Sequence, residues 1–208
     1  MHRGQFGQED VERYKAANQD EIPNSSGENM NTWFTADTHF GHTNIIKYCN
    51  RPFNTIEEMD SEIIFRWNSV VKDGDVVYHL GDFCFGKPIS YIERLNGYLK
   101  IIPGSHDKEI QRSGAELMLR KFVFEKLTEI KVDINGINQL VVLCHYAMRS
   151  WNKSHYGSWH LYGHHHGKLP PSGLSFDVGV DTNNFYPYSL KDVADKMKSL
   201  TETEHPSS

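Results

Sequence analysis

The sequence lacks any pair of cysteines at metal-ligand spacing, since its three thiols, Cys49, Cys84 and Cys144, stand far apart. That excludes a thiolate zinc site, and an odd, scattered set fits a reducing interior, with the cytoplasm as the expected location. No apolar run is long enough to cross a bilayer and no signal peptide is evident, so no membrane partner is expected. A basic run is missing too: Lys and Arg total 22 against 27 Asp and Glu, a net charge of −5. No long-range field then draws in nucleic acid, which argues against a duplex binder and leaves room only for action on short strands. No internal repeat divides the chain.

What is present fits one domain. With 208 residues, 38% of them hydrophobic and 12% aromatic, the chain can bury a full core, while two independent domains would be cramped. Residues 1–30 are polar, with a short helix around Glu9 to Ala17 and a Pro-Asn-Ser-Ser-Gly linker at 23–27. They are expected to form a flexible extension with no catalytic part, Met30 being an alternative start. Residues 31–200 form the expected domain and 201–208 a loose tail. Strands are predicted at 32–36, 76–80, 99–102, 130–134, 140–143, 159–162 and 176–180. Helices are predicted after a capping box at Thr55 and Glu58, after a second cap at Ser90, and from Leu190 to Leu200. Asn135-Gly136 marks a hairpin. Pattern alone gives an α/β class with a mixed sheet.

Acidic and histidine residues follow these strands in five short clusters: Asp37-Thr38-His39, Gly81-Asp82, Gly104-Ser105-His106-Asp107, His145 and Gly163-His164-His165-His166. Folding the strands into one sheet would bring all five to one edge. Carboxylate oxygen with imidazole nitrogen suits borderline divalent ions, whereas a Ca or Mg cage would be nearly all oxygen. A single ion that keeps a position open for water rarely takes more than about four protein ligands, so the set implies two divalent metal ions sharing a carboxylate. Asp82 is the natural bridge. Mn is the leading ion, with Fe, Ni, Co or Zn as alternatives.

The ordered set Asp37-x-His39, Gly81-Asp82, Gly104-Ser105-His106-Asp107, His145 and Gly163-His164-x-His166 resembles the calcineurin-like metallophosphoesterases, over residues 31–200. Any one of these motifs arises by chance, and five in order are specific. The resemblance implies a two-sheet β sandwich flanked by helices, a four-layer αββα arrangement. It implies Asp37, His39 and His166 on the first metal, Asp82 between the metals, and His145 and His164 on the second. His106 would stand outside the metal shell beside the leaving group as a catalytic residue, oriented by Asp107. The chain departs from the pattern at Ser105, where the family supplies an asparagine amide to the second metal; a serine hydroxyl is shorter and a poorer donor. Water replacing the amide, an engineered change, or a loss of catalysis would each account for it.

The implied activity is hydrolysis of a phosphate ester by a metal-bridging hydroxide, with no protein nucleophile. A diester is favoured, because one positioned histidine suits alkoxide departure and no arginine cluster marks a clamp for a dianion. The alternative, which Ser105 alone favours, is a catalytically impaired binding or scaffold protein on the same fold. The substrate class extends to a nucleotide or short nucleic acid, and the oligomeric state is open. His42, Arg51 and Arg149 are candidate substrate contacts, and Tyr48, Phe53, Trp151, Tyr156 and Trp159 could stack on a base or simply pack. His79 lies inside a strand and is expected to be structural, His165 is a spacer, and Asp177 and Asp181 flank Val-Gly-Val as turn formers.

Overall fold

A computed structural model describes residues 30–108, 110 and 125–204. The polar extension at 1–29 and the end of the expected tail at 205–208 lie outside the described residues. The short apolar runs β1 (Thr32–Thr35), β2 (Val76–His79) and β3 (Tyr98–Ile101) pair in parallel. Strand β8 (Tyr188–Ser189) adds antiparallel beside β1, giving the order β3-β2-β1-β8. A second sheet has the order β4-β5-β6-β7, from β4 (Leu127–Ile134), β5 (Ile137–Cys144), β6 (Trp159–Tyr162) and β7 (Ser175–Asp177). Only its β4–β5 pair is antiparallel. The described fold is therefore mixed α/β with two four-stranded mixed sheets.

Local chemistry explains these elements. Asn135 and Gly136 both take positive φ, 53° and 83°, as the two-residue hairpin turn requires. With the turn so fixed, pairing runs unbroken from Ile134 and Ile137 to Leu127 and Cys144, and both strands outgrow the predicted ones. A first short helix, α1, covers Ile45–Tyr48. The capped helix α2 runs Ile56–Val70, and the Thr55 hydroxyl accepts from the Glu58 N–H at 3.2 Å. The Glu58 carboxylate reaches one residue further back than a capping box would, to the Asn54 N–H at 2.8 Å. Ser90 caps nothing: it lies inside α3 (Ile89–Ile92), its hydroxyl bonded to the Lys87 carbonyl.

Met59, Ile63 and Trp67 form the buried stripe of α2 and pack with Val77, Leu99 and Ile101 on one face of the first sheet. The alternate residues Phe34 and Leu80, with Ile102, turn to the other face and meet Val141, Leu143, Leu161 and Phe176 of the second sheet. Val193 and Met197 of α4 (Leu190–Glu204) complete that inter-sheet core. Helix α4 passes the expected stop at Leu200, so the tail predicted from residue 201 begins as helix. No Pro or Gly interrupts it there, and the Thr201 hydroxyl bonds back to the Met197 carbonyl at 3.1 Å. The strand predicted at 176–180 also ends early, at Asp177, and turns into a 3-10 helix at Val180–Thr182. A lone bridge between Ala36 and Gly179 there ties the ends of the two sheets together.

Candidate metal centre

Because β1, β2, β3, β5, β6 and β7 present their carboxyl ends to one rim, all five ligand clusters arrive there, where open α/β sheets place their sites. Backbone contacts lock the clusters to one another. The Asp37 N–H donates to the Gly81 carbonyl, the Gly163 N–H to the His145 carbonyl, both at 3.0 Å, and the His164 N–H to Asp37 Oδ2 at 2.8 Å. A Cβ on Gly81 would fall on the Gly104 backbone, and one on Gly104 would fall on the Asp82 carboxylate, so only glycine permits that approach. Asp37, His39, Asp82, His164 and His166 all take left-handed backbone, with φ of 57°, 50°, 55°, 69° and 49°. Each costs about 1–2 kcal/mol for a non-glycine residue, and strain gathered this way marks a functional site.

Two groups that could each hold a metal ion result. One ligand atom each from Asp37, His39 and His166 lies within 4.8 Å of the others, and the same holds for Asp82, His145 and His164. Asp82 faces both groups: its Oδ2 is 3.4 Å from His145 Nε2 and 3.8 Å from His39 Nε2. Several of these atoms are buried without any hydrogen-bond partner, namely Asp37 Oδ1, both ring nitrogens of His39, and His145 Nε2. Buried polar atoms are seldom orphaned, so this donor set fits cations.

Protonation follows from the same crowding. Burial lifts the Asp37 carboxyl to about 7 and pushes the His39 imidazole down to about 2. Burial also opposes charge on Asp82 and His166, but close partners outweigh it. The His145 imidazole holds Asp82 below the usual carboxylate range, and the bond to Asp181 carries His166 up to about 10. His145 is raised as well, its burial overcome by Asp82.

The residues around these groups depart from expectation in four places. Asp107 does not orient His106: its oxygens accept the backbone N–H groups of Asp82 and Gly104, each at 2.7 Å, and of Phe83 at 2.9 Å. It staples these two loops together, while Asp82 Oδ2 lies 3.9 Å from His106 Nε2. Arg51, a candidate substrate contact, spends its guanidinium within the protein. It is buried, with Nε and Nη2 each 2.8 Å from the Asp181 carboxylate and further bonds to the carbonyls of Asp37 and Thr38. Asp181, read from sequence as a turn former, accepts or shares the His166 Nδ1 proton at 2.7 Å and fixes that ring. Cys49 also stands with His166 and Asp181, inside one 4.8 Å group. Asp177 does form its turn, through the N–H groups of Gly179 and Gly167. A rule that every ligating histidine needs a carboxylate behind it would have found Asp181.

Ser105 lies at the centre, its hydroxyl donating to the Asp82 oxygens at 3.2 and 3.3 Å. His42 is at the mouth, stacked on Phe85 with ring centroids 4.0 Å apart and 5.5 Å from the His39 ring. Arg149 is exposed. Trp159 and Phe53 pack into the cores, and Trp151 donates to the Ser158 carbonyl beside His160. His165 is absent from both ligand groups and lies edge-on to Tyr162.

His79 is structural in a way that sets a pH response. Its Nε2 pairs with the Thr38 hydroxyl at 3.0 Å, and since that hydroxyl donates to the Phe83 carbonyl, the ring supplies the proton. Full burial pushes its pKa down to about 3 from 6.5. The unfolded chain takes up this proton first as pH falls, so stability present above pH 6.5 is lost on acidification. Denaturation of metal-free protein should show a fall in stability from pH 6.5 to about 4, of which His79 gives at most about 1.4 kcal/mol per pH unit. His79→Gln should flatten that slope; an unchanged slope would rule His79 out as the titrating group.

No family model matches the sequence. The uncharacterized protein MJ1445 of Methanocaldococcus jannaschii is 36% identical over 170 residues, covering 76% of this chain and 86% of that one. The chain belongs to the MJ1445 family. A crystal structure of the protein of unknown function AQ665 from Aquifex aeolicus shares the fold of this MJ1445-family chain. It aligns with a TM-score of 0.60 at 21% identity, over 81% of this chain and 100% of that one. A predicted phosphoesterase from Streptococcus pneumoniae aligns with a TM-score of 0.36 at 14% identity over 72% and 71%, below the level at which a common fold follows. No helix among the described residues is long and apolar enough to cross a membrane.

Proposed function

We propose that this protein is a dinuclear metal-dependent phosphoesterase, acting on a diester in preference to a monoester. The observation that carries the reading is the set of buried, unpartnered ligand atoms of Asp37, His39 and His145 at the rim where both ligand groups meet. Asp37, His39 and His166 would hold one ion and His145 and His164 the other, with Asp82 between them. Bound there, two divalent ions, Mn foremost, would supply an activated water and offset the charge of the phosphate. The protein's own groups do the rest. Asp181 fixes the His166 ring, Asp107 holds the Asp82 loop against the Gly104 loop, and the half-exposed His106 is free to serve the leaving oxygen. The engagement of Arg51 with Asp181 spends that guanidinium within the protein, which favours a singly charged diester. In this reading α2 belongs to an outer layer of a four-layer αββα sandwich, and the enzyme works in the cytoplasm.

A second reading, a binding or scaffold protein with an impaired site, is favoured by Ser105, whose hydroxyl spends its proton on Asp82. Hydrolysis of bis-p-nitrophenyl phosphate and p-nitrophenyl phosphate by metal-stripped, Mn-reloaded protein separates the two. Metal-restored cleavage of the diester ahead of the monoester is expected, with Ser105→Asn raising both second-metal affinity and rate. Turnover of neither ester would favour the scaffold, and no gain from Ser105→Asn would count against Ser105 as the weak ligand.

A further inference from the structure

Exposed large apolar side chains are ordinary when scattered singly, but here three aromatic rings stand around one rim. Phe85 is 38% exposed, Tyr48 66% and Tyr146 45%. Tyr146 lies edge-on to the rings of His145 and His164, each at 4.9 Å. On the opposite bank Phe85 stacks on His42 at 4.0 Å and 22°, and His42 meets Tyr48 edge-on at 6.2 Å. Phe85 is also 5.3 Å from the His106 ring and 6.1 Å from that of His39. None of these rings lies in either core cluster.

The Phe85 bank is built rigidly, which core packing does not require of an exposed ring. Its N–H donates to the Phe40 carbonyl at 2.7 Å, beside the bridge between Phe40 and Cys84. The facing loop is tied down by the Gly41 N–H on the Asp60 carboxylate, 3.1 and 3.2 Å from its two oxygens. A fixed aromatic face at a phosphate site is what recognises a flat heterocycle, since every base offers a π face. The charge pattern narrows the choice further. With a net charge of −5 and Arg51 sequestered, no long-range field draws in a phosphate backbone, so a single base is favoured over a polynucleotide.

We propose that Phe85, backed by His42 and edged by Tyr48, is a stacking platform for the base of a nucleoside whose ester oxygen leaves beside His106, so that the substrate is a small nucleoside phosphodiester. This rests on the phosphoesterase reading. Water gives its oxygen to phosphorus as the bond to the nucleoside oxygen breaks, and the departing oxygen takes up the proton that water gives up.

Calorimetric titration of the Mn-loaded full chain with AMP and with ribose 5-phosphate isolates the ring, because both carry the same phosphate and sugar. AMP should bind tighter by on the order of tenfold. Phe85→Leu should bring the ratio of the two affinities to within about twofold of one, and Phe85→Trp, which keeps a flat face, should preserve it. A ratio near one in the unaltered protein, or a ratio that survives Phe85→Leu, overturns the platform while ribose 5-phosphate binding still upholds the phosphate site. Binding of neither phosphate overturns both.

Discussion

Asp82→Asn is expected to abolish turnover and deplete bound metal. The substitution is close to isosteric, and asparagine tolerates the left-handed backbone, φ 55°, at this position. An amide can still accept from the His106 N–H, now 2.8 Å from Oδ1, so the Gly104 loop should stay in place. What disappears is a negative charge facing His145 at 3.4 Å and His39 at 3.8 Å, one member of each candidate group. If that charge bridges two ions, its loss removes several kcal/mol of electrostatic support, and the rate should fall on the order of a thousandfold. Metal analysis of the purified variant should show less than the unaltered protein holds, with the second site emptied first. Activity within about tenfold of the unaltered protein would refute the bridge.

The residues of the two candidate groups could be picked out from the sequence because they sit at strand ends, where β-rich runs and neighbouring glycines announce both the element and the turn. Nothing comparable announces what a side chain does once packed. Arg51, shortly after His39 and His42, reads as able to reach a substrate phosphate, and its burial between Asp181 and the Asp37 carbonyl has no mark in the sequence. Asp107 adjoins His106 in sequence, yet their neighbourhood is decided by the Asp82 loop, whose amides claim the carboxylate. Asp181 reads as the twin of Asp177, since both flank Val-Gly-Val. The lone bridge at Ala36 and Gly179 separates their fates: Asp177 turns back to the Gly179 and Gly167 amides, while Asp181 is carried under the metal rim. The helix ends differ for a simpler reason, that propensity marks starts and stops weakly where no Gly or Pro intervenes.

Asp181→Ala should be costly to stability as well as to metal binding, and the two costs can be pulled apart. The Arg51 guanidinium is buried and is held by this carboxylate through two hydrogen bonds, from Nε and Nη2. Removing one partner of a buried pair leaves an uncompensated charge and typically costs about 3–5 kcal/mol. The same change strips the His166 ring of the acceptor that fixes it, so affinity at the Asp37, His39 and His166 group should fall roughly 10- to 100-fold. Stability should return largely in the double variant Arg51→Met with Asp181→Leu, because an apolar pair of similar volume often matches a buried ion pair. Metal affinity should not return with it, since no carboxylate then orients His166. Urea denaturation and metal titration of the single and double variants give the answer. A single variant that loses less than about 1 kcal/mol would show the pair to be incidental. A double variant that regains full metal affinity would show that Asp181 holds up the loop and does nothing for the His166 ring.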